Sequence, residues 1–349
     1  MSIEFADVIV DLQSGDTGKG KVAHHLAKSG AYNCVLRYNG GSNAGHTVYH
    51  DGKKIVTHQV PIGVLYGIKS IIGLGCVVNV PALLREIKEL NFAGINTDGL
   101  IFVDKRAHVV LSEHLEEDGS DTKIGTTRQG IGPAYRDKYG RIGTRIGDES
   151  YSNIAKELVS NEFQIIDIYK LFFSESEQYR ILCEGAQGFN LDIDWGDYPY
   201  VTSSHCTVGS VCLNGIPPQK IRKVFGVLKA YETYVGNKEI VVSDFDAPIF
   251  ERIQEVGNEF GATTGRKRRV NWLNLPEVIK AMHINGVTNV IINKADVLEE
   301  VGQFAIIAND GKSIRFSNIE VFEQFVNEAL IHYSICDLDI KWSKTPYGI

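Results

Sequence analysis

Asp7-Val8-Ile9-Val10-Asp11-Leu12-Gln13-Ser14-Gly15-Asp16-Thr17-Gly18-Lys19-Gly20-Lys21-Val22 is the stretch that decides the fold. Its first half is a short run dominated by β-branched residues, as expected of a strand buried on both faces. Its second half is a glycine-rich turn. Beyond it, Lys21-Val22-Ala23-His24-His25-Leu26-Ala27 has helical spacing. Strand, turn and helix in that order open an α/β unit. A loop at that junction points backbone N–H groups and the positive end of the helix dipole at a bound phosphate. Gly15, Gly20 and Lys21 satisfy G-x-x-x-x-G-K, but Val22 stands where a P-loop carries the Ser or Thr that ligates magnesium. Asp16, inside the loop, becomes the candidate metal ligand. The competing reading is a glycine-rich surface turn with stray lysines; the flanking strand and helix argue against it.

Working outward, Val35 to Tyr38, Lys69 to Ile72 and Leu100 to Val103 read as further short strands, and Val287 to Asn293 as a strongly buried one. Asn79-Val80-Pro81 predicts a capped helix running to about Leu90, with Pro in its first turn. Asn274 and Pro276 predict another, and Phe322, Phe325, Val326, Ala329 and Leu330 share one helical face. Residues 112–150, polar and rich in Gly, Arg and Asp, read as a long functional loop region. No internal repeat or low-complexity tract interrupts the pattern. The expectation is an α/β fold: one domain over 1–349, with a central, mostly parallel sheet flanked by helices.

Composition narrows the partners. With 349 residues, 43% of them hydrophobic, the chain can build one large core. A formal charge of −7 argues against nucleic acid as the main partner. The six cysteines include no C-x-x-C pair, so neither a zinc ribbon nor a thioredoxin motif is indicated. No basic flank and long apolar run marks a signal peptide, and no stretch reaches the roughly 18 apolar residues of a membrane span. The expected setting is the cytoplasm, with no membrane partner.

Five further motifs carry chemistry. Arg37-Tyr38-Asn39-Gly40-Gly41-Ser42-Asn43-Ala44-Gly45-His46-Thr47 lets backbone approach a ligand beside His46, although a lone His in such a loop is more often structural. Ile124 to Lys138 contains Thr126-Thr127-Arg128-Gln129-Gly130. Glu184-Gly185-Ala186-Gln187-Gly188 is followed by Asp192-Ile193-Asp194 and Tyr198 to Ser204. Gly261-Ala262-Thr263-Thr264-Gly265-Arg266-Lys267-Arg268-Arg269 sets four cations beside two threonines, suited to a dicarboxylate or phosphate. In isolation that run would read better as a solvated basic loop. Asn293-Lys294-Ala295-Asp296 closes a buried strand, where an Asp can accept N1–H and N2–H of guanine.

Together, and in this order along nearly the whole chain, the six motifs resemble the adenylosuccinate synthetase family. The resemblance implies a single large α/β domain of P-loop NTPase-like type, a homodimer, Mg2+, and ligation of L-aspartate to a 6-oxopurine nucleotide driven by GTP or ATP. It makes Asp16 the base and metal ligand, His46 the acid, and Lys19 part of the phosphate cradle. Gly15, Thr17, Gly18, Gly20, Lys21, Gly45 and Thr47 join that cradle, with the Gly45 carbonyl a second metal contact. Lys294 and Asp296, with Ser343, Thr345 and Pro346, take the donor base. Ser14, Asn43, Thr126, Thr127, Gln187, Thr202 and Val235 take the purine nucleotide, and Arg141 reaches into the partner subunit's site. Thr263, Thr264, Arg266 and Arg268 close over L-aspartate.

The chain departs from the family around the purine. Ser14 replaces the usual Trp, Thr17 the usual Glu, and Arg128-Gln129 the usual Gly-Arg. The usual Arg-Val-Gly-Ala-Gly-Pro is Tyr234-Val235-Gly236-Asn237-Lys238-Glu239. Asp-Leu-Gln before Thr-Gly-Lys-Gly resembles the short viral branch, which acts on dGMP with ATP on the way to 2-aminoadenine, and would place the protein in a host's cytoplasm. A Ser at 14 leaves room for a 2-amino group, so dGMP is favoured over IMP. Retention of Asp16 keeps the ordinary IMP enzyme open, and Lys294 and Asp296 argue for GTP as donor. Two other classes compete: a GTP-binding switch, which has no need of the arginine loop, and a catalytically dead relative, which has no need of both Asp16 and His46.

Overall fold

The structure, a computed structural model, describes residues 2–120, 124–149, 151, 162–174, 177–239, 242–261, 265–345 and 349. Nine parallel strands form the central sheet. In chain order they are β1 (Ile3–Asp11), β2 (Cys34–Arg37), β3 (Lys69–Ile72), β4 (Ile101–Asp104), β5 (Gln164–Ile166), β6 (Tyr179–Glu184), β7 (Ile221–Lys229), β8 (Asn289–Asn293) and β9 (Asp339–Ser343). Across the sheet the order is β9-β8-β7-β1-β6-β2-β3-β4-β5. The opening apolar run thus becomes an interior strand, paired with β6 and β7. Its side chains alternate between two cores: Val8 and Val10 pack on one face of the sheet, Ile9 on the other. Both faces are covered, which is why the strand reads as a continuous apolar run.

The helices follow the expected signals. α1 (Lys19–Lys28) opens directly out of the glycine-rich loop. α2 (Val80–Phe92) is capped by Asn79, whose side chain accepts from the Ala82 N–H at 3.0 Å, with Pro81 in the first turn. The C-terminal helix Ile319–His332 buries Phe322, Val326 and Leu330 and leaves Phe325 38% exposed. One expectation fails: residues 112–150 are not one long loop. They hold α3 (Ser112–Ser120) and α4 (Ile131–Gly140), which pack on each other. Glycine content alone does not separate helix ends from loop. Gly130 and Arg141, both at positive φ, are caps that bound α4 (N-cap and C-cap) and do not mark continuous loop.

A second sheet of four strands, Tyr231–Tyr234, Arg269–Asn274, Phe304–Ile307 and Ser313–Phe316, leaves the main sheet after β7. Its first two strands pair antiparallel, which brings residues 259–261 and 265–269 to the C-terminal edge of the main sheet, where Arg268 meets Asp16. At that edge β1, β2, β6, β7, β8 and β9 end on Asp11, Arg37, Glu184, Lys229, Asn293 and Ser343, all buried. Ligands of open parallel sheets gather at this edge. Among the described residues no helix is long and apolar enough to cross a membrane.

Candidate active site

Asp11, the last residue of β1, organises the loop that follows it. Its Oδ1 accepts the N–H groups of Gln13 and Gly15 at 2.9 and 3.4 Å; its Oδ2 accepts the Thr17 hydroxyl at 2.5 Å and the Lys19 ammonium at 2.8 Å. Asn293, at the end of β8, donates to the Thr17 carbonyl at 2.7 Å. A Cβ on Gly18, at φ 101°, would lie 2.8 Å from that amide, so this position admits only glycine. A Cβ on Gly20 would lie 2.8 Å from the Cβ of His46, and its absence brings His46 against the loop.

His46 backs onto a buried ion pair. Arg37 donates through Nε and Nη2 to Glu184 at 3.0 and 2.7 Å, and Arg37 Nη2 lies 3.2 Å from His46 Nδ1. A guanidinium can only donate, so Nδ1 accepts and the ring hydrogen sits on Nε2. Burial, with Arg37 and Lys19 nearby, pushes the imidazole well below its ordinary pKa. His46 is a neutral hydrogen-bond donor at physiological pH.

A cavity of about 440 Å3 opens at this edge, within the range of small-ligand sites. Of the residues predicted for phosphate and catalysis, Gly15, Asp16, Lys19, Gly45 and His46 line it. Of those predicted for the purine nucleotide, Ser14, Asn43, Thr126, Thr127, Gln187, Thr202 and Val235 line it. Gln187 is held at φ 56°, and its buried Oε1 has no hydrogen-bond partner among the described residues. Arg266 and Arg268 complete the wall. Arg266 donates to the Gly125 carbonyl at 2.9 Å, and Arg268 pairs with Asp16 at 2.8 Å. Thr263 and Thr264 lie outside the described residues, as does Pro346.

Other predicted residues stand elsewhere. The Thr17 hydroxyl is turned onto Asp11 and is 1% exposed, so that side chain builds the loop and does not face the cavity. Lys19 lines the cavity, but its ammonium rests on Asp11 and on the Gln187 carbonyl at 2.5 Å. Lys21 points away, to Ser343 Oγ at 2.7 Å and the Thr345 carbonyl at 2.9 Å. Burial pulls its pKa to about 8, against the charge of Asp296, and Lys294 lowers it further. Lys294, at φ 68°, donates to the Gly257 carbonyl at 2.8 Å. Thr47 follows His46 in the strand His46–His50 and is half-buried. Arg141 is exposed at the end of α4 and does not line the cavity. Asp192 builds a turn, accepting the N–H groups of Asp194 and Trp195 at 2.9 and 3.1 Å and of Cys206 at 2.5 Å.

Asp11, Arg37, Glu184, Lys229 and Glu259 escaped the sequence reading as working residues. A signal existed for four of them: each is a charged residue ending a strand at the sheet's C-terminal edge. Glu259 carried none.

Comparison with known proteins shows the family and the fold. The sequence profile of the adenylosuccinate synthetase family matches residues 8–167 and 149–312. The chain is 42% identical over 335 residues to the adenylosuccinate synthetase of Cytophaga hutchinsonii, covering 84% of this chain and 77% of the relative. It is 38% identical over 359 residues to that of Chlorobium phaeobacteroides, covering 90% and 82%. The fully ligated adenylosuccinate synthetase of Plasmodium falciparum superposes with a TM-score of 0.83 at 27% identity, covering 98% of each chain. The succinoaminodeoxyadenylate synthetase of cyanophage S-2L, bound to dGMP and to dATP as an energy donor, shares the fold, with a TM-score of 0.77 at 22% identity over 99% and 94% of the two chains.

Proposed function

The chain belongs to the adenylosuccinate synthetase family of carbon–nitrogen ligases, and from that premise we propose that it joins L-aspartate to C6 of dGMP, releasing nucleoside diphosphate and phosphate. Asp16 takes the proton from purine N1, so that O6 becomes nucleophilic. O6 attacks the γ-phosphorus of the triphosphate and expels the diphosphate, giving a 6-phosphoryl purine. The aspartate amine then adds at C6, and the C6–O bond breaks with loss of phosphate. Oxygen at C6 leaves only once it is phosphorylated, which is why the triphosphate is required. His46 donates through Nε2 to the oxygens that gain charge during transfer. Arg266 and Arg268 present guanidinium forks to the carboxylates of L-aspartate. The carboxylate of Asp16 and the carbonyl of Gly45 are hard oxygen donors on one cavity, a set that suits Mg2+. When bound, the ion would neutralise phosphate charge. Lys21, Lys294, Asp296, Ser343 and Thr345 would hold the donor nucleotide, and Arg141, exposed, would serve the partner site of a homodimer in the cytoplasm.

One observation carries the ligase reading: a carboxylate, a neutral imidazole and two arginines share a single cavity of nucleotide size. For the choice of purine, support comes from Ser14. It lines the main cavity and also a smaller one of about 340 Å3 behind it, so the wall there has room for a 2-amino group. IMP is the second reading, favoured by 38–42% identity to bacterial adenylosuccinate synthetases. The test is a grid: L-aspartate and Mg2+ with dGMP or IMP, each with ATP or GTP, following phosphate release and product mass. 2-Amino-2′-deoxyadenylosuccinate, in which the aspartate nitrogen has replaced O6 of dGMP, is the expected product. Turnover of IMP without turnover of dGMP overturns the choice of purine. No aspartate-dependent phosphate release in any arm overturns the ligase reading, and the donor column assigns ATP or GTP.

A further inference from the structure

Arg268 is held on two sides. Its backbone N–H donates to the Glu259 carbonyl at 2.9 Å, and Gly261 N–H donates to the Arg266 carbonyl at 2.8 Å. On the side-chain level, Arg268 Nη1 donates to Glu259 Oε2, while Nε and Nη2 reach Asp16 Oδ2 at 3.0 and 2.8 Å. Glu259 is itself fixed from below. Lys229 donates to its Oε2 at 2.8 Å and to Thr233 at 2.9 Å, and the Tyr231 hydroxyl donates to its Oε1 at 2.6 Å. Glu259, Lys229 and Tyr231 are fully or almost fully buried, and none of them lines the cavity.

The four charges form a chain, Lys229–Glu259–Arg268–Asp16, with two cations and two carboxylates, that leads from the core to the cavity wall. A guanidinium is a planar fork with two usable edges. Glu259 takes one edge, so the other must face outward. That outer edge now rests on Asp16. A substrate carboxylate seeking Arg268 would have to take the same edge.

We propose that Glu259 is the positioning residue of the aspartate site: it grips the inner edge of Arg268 and thereby presents the Nε/Nη2 edge to the substrate carboxylate. The inference rests on the ligase reading above and goes beyond it, since Glu259 touches neither substrate nor cavity. Without the inner grip the arginine side chain samples other rotamers. The entropy of ordering it then falls on each binding event and weakens aspartate binding while leaving the purine and the triphosphate alone.

The test is a double-mutant cycle on the full chain, with KM and kcat measured separately for each substrate. E259Q keeps shape and removes charge. It should raise the KM for L-aspartate at least tenfold, with the nucleotide KM values within twofold of wild type. R268K should raise the aspartate KM as well, and E259Q/R268K should be no worse than R268K alone, because Glu259 acts through that arginine. If E259Q does not fold, E259D is put through the same cycle with the same expectation. A wild-type aspartate KM in the Glu259 variant, or additive effects in the double variant, overturns the inference and leaves the ligase reading standing. A wild-type protein with no aspartate-dependent phosphate release overturns both, and the two failures are told apart by the wild-type arm.

Discussion

The cavity has two walls built in different ways. One is the loop after β1, where Asp11, Thr17 and Lys19 are tied together within eight residues of chain. The other holds Glu259 and Arg268, where Arg268 meets Asp16 across 252 residues of sequence. The first wall is braced mainly within one strand-turn-helix unit, with Asn293 and Gln187 holding it from outside. The second exists only because the four-stranded sheet carries Glu259 and Arg268 back to the main sheet. The difference is chemical as well. The near wall is braced by one buried carboxylate with a cation and a hydroxyl. The far wall is an alternating chain of charges whose last link, Asp16, belongs to the near wall. The two walls meet on the residue that the proposed mechanism needs most.

Four substitutions would sharpen or break this contrast. The largest effect is expected where the walls meet. Asp16→Ala should cut aspartate-dependent phosphate release by about 10²–10⁴-fold, the usual contribution of a positioned acid–base group, with little loss of melting temperature. A variant with near-normal turnover would mean that the junction is structural. Next comes the near wall alone. Asp11→Ala leaves the Lys19 ammonium buried without its carboxylate and should cost about 3–5 kcal/mol in urea unfolding, the cost of breaking a buried pair from one side. A loss under 1 kcal/mol would show that the loop is not braced as the distances imply.

The third change moves the near wall toward the second cavity. Ser14→Trp should lower kcat/KM for dGMP by roughly tenfold to a hundredfold and leave IMP less affected, since a filled wall rejects an added amino group. Equal losses for both purines would place the base elsewhere. The smallest effect lies behind the far wall. Burial raises the Glu232 carboxyl to about 7 from its ordinary 4.5. The folded state therefore holds a proton that the unfolded state releases, and stability should fall as pH rises from about 4.5 to about 7, by on the order of 1–3 kcal/mol for this half-buried group. Glu232→Gln should gain melting temperature at pH 8 and none at pH 4. Glu259 runs the other way. Burial alone would raise it, but Lys229 and Arg268 outweigh burial and hold it at about 2, so its contribution is full above pH 4.5 and is lost toward pH 2.

The sequence by itself determined the buried opening strand, the glycine-rich turn into α1 and the capped α2 helix, because period, caps and turn glycines act over a few residues of chain. Arg266 and Arg268 stood out only by resemblance, since a basic run in isolation reads as a solvated loop; both line the cavity. Residues 112–150 read as continuous loop, since cap glycines and loop glycines look alike until the helices between them are seen. Only the tertiary structure decided that Lys19 and Thr17 lean on Asp11, that Lys21 turns toward Ser343, and that Asp16, Arg268 and Glu259 form one chain. Charged side chains choose partners by distance in space, and in a sheet whose neighbouring strands are far apart in sequence, nothing along the chain encodes that distance.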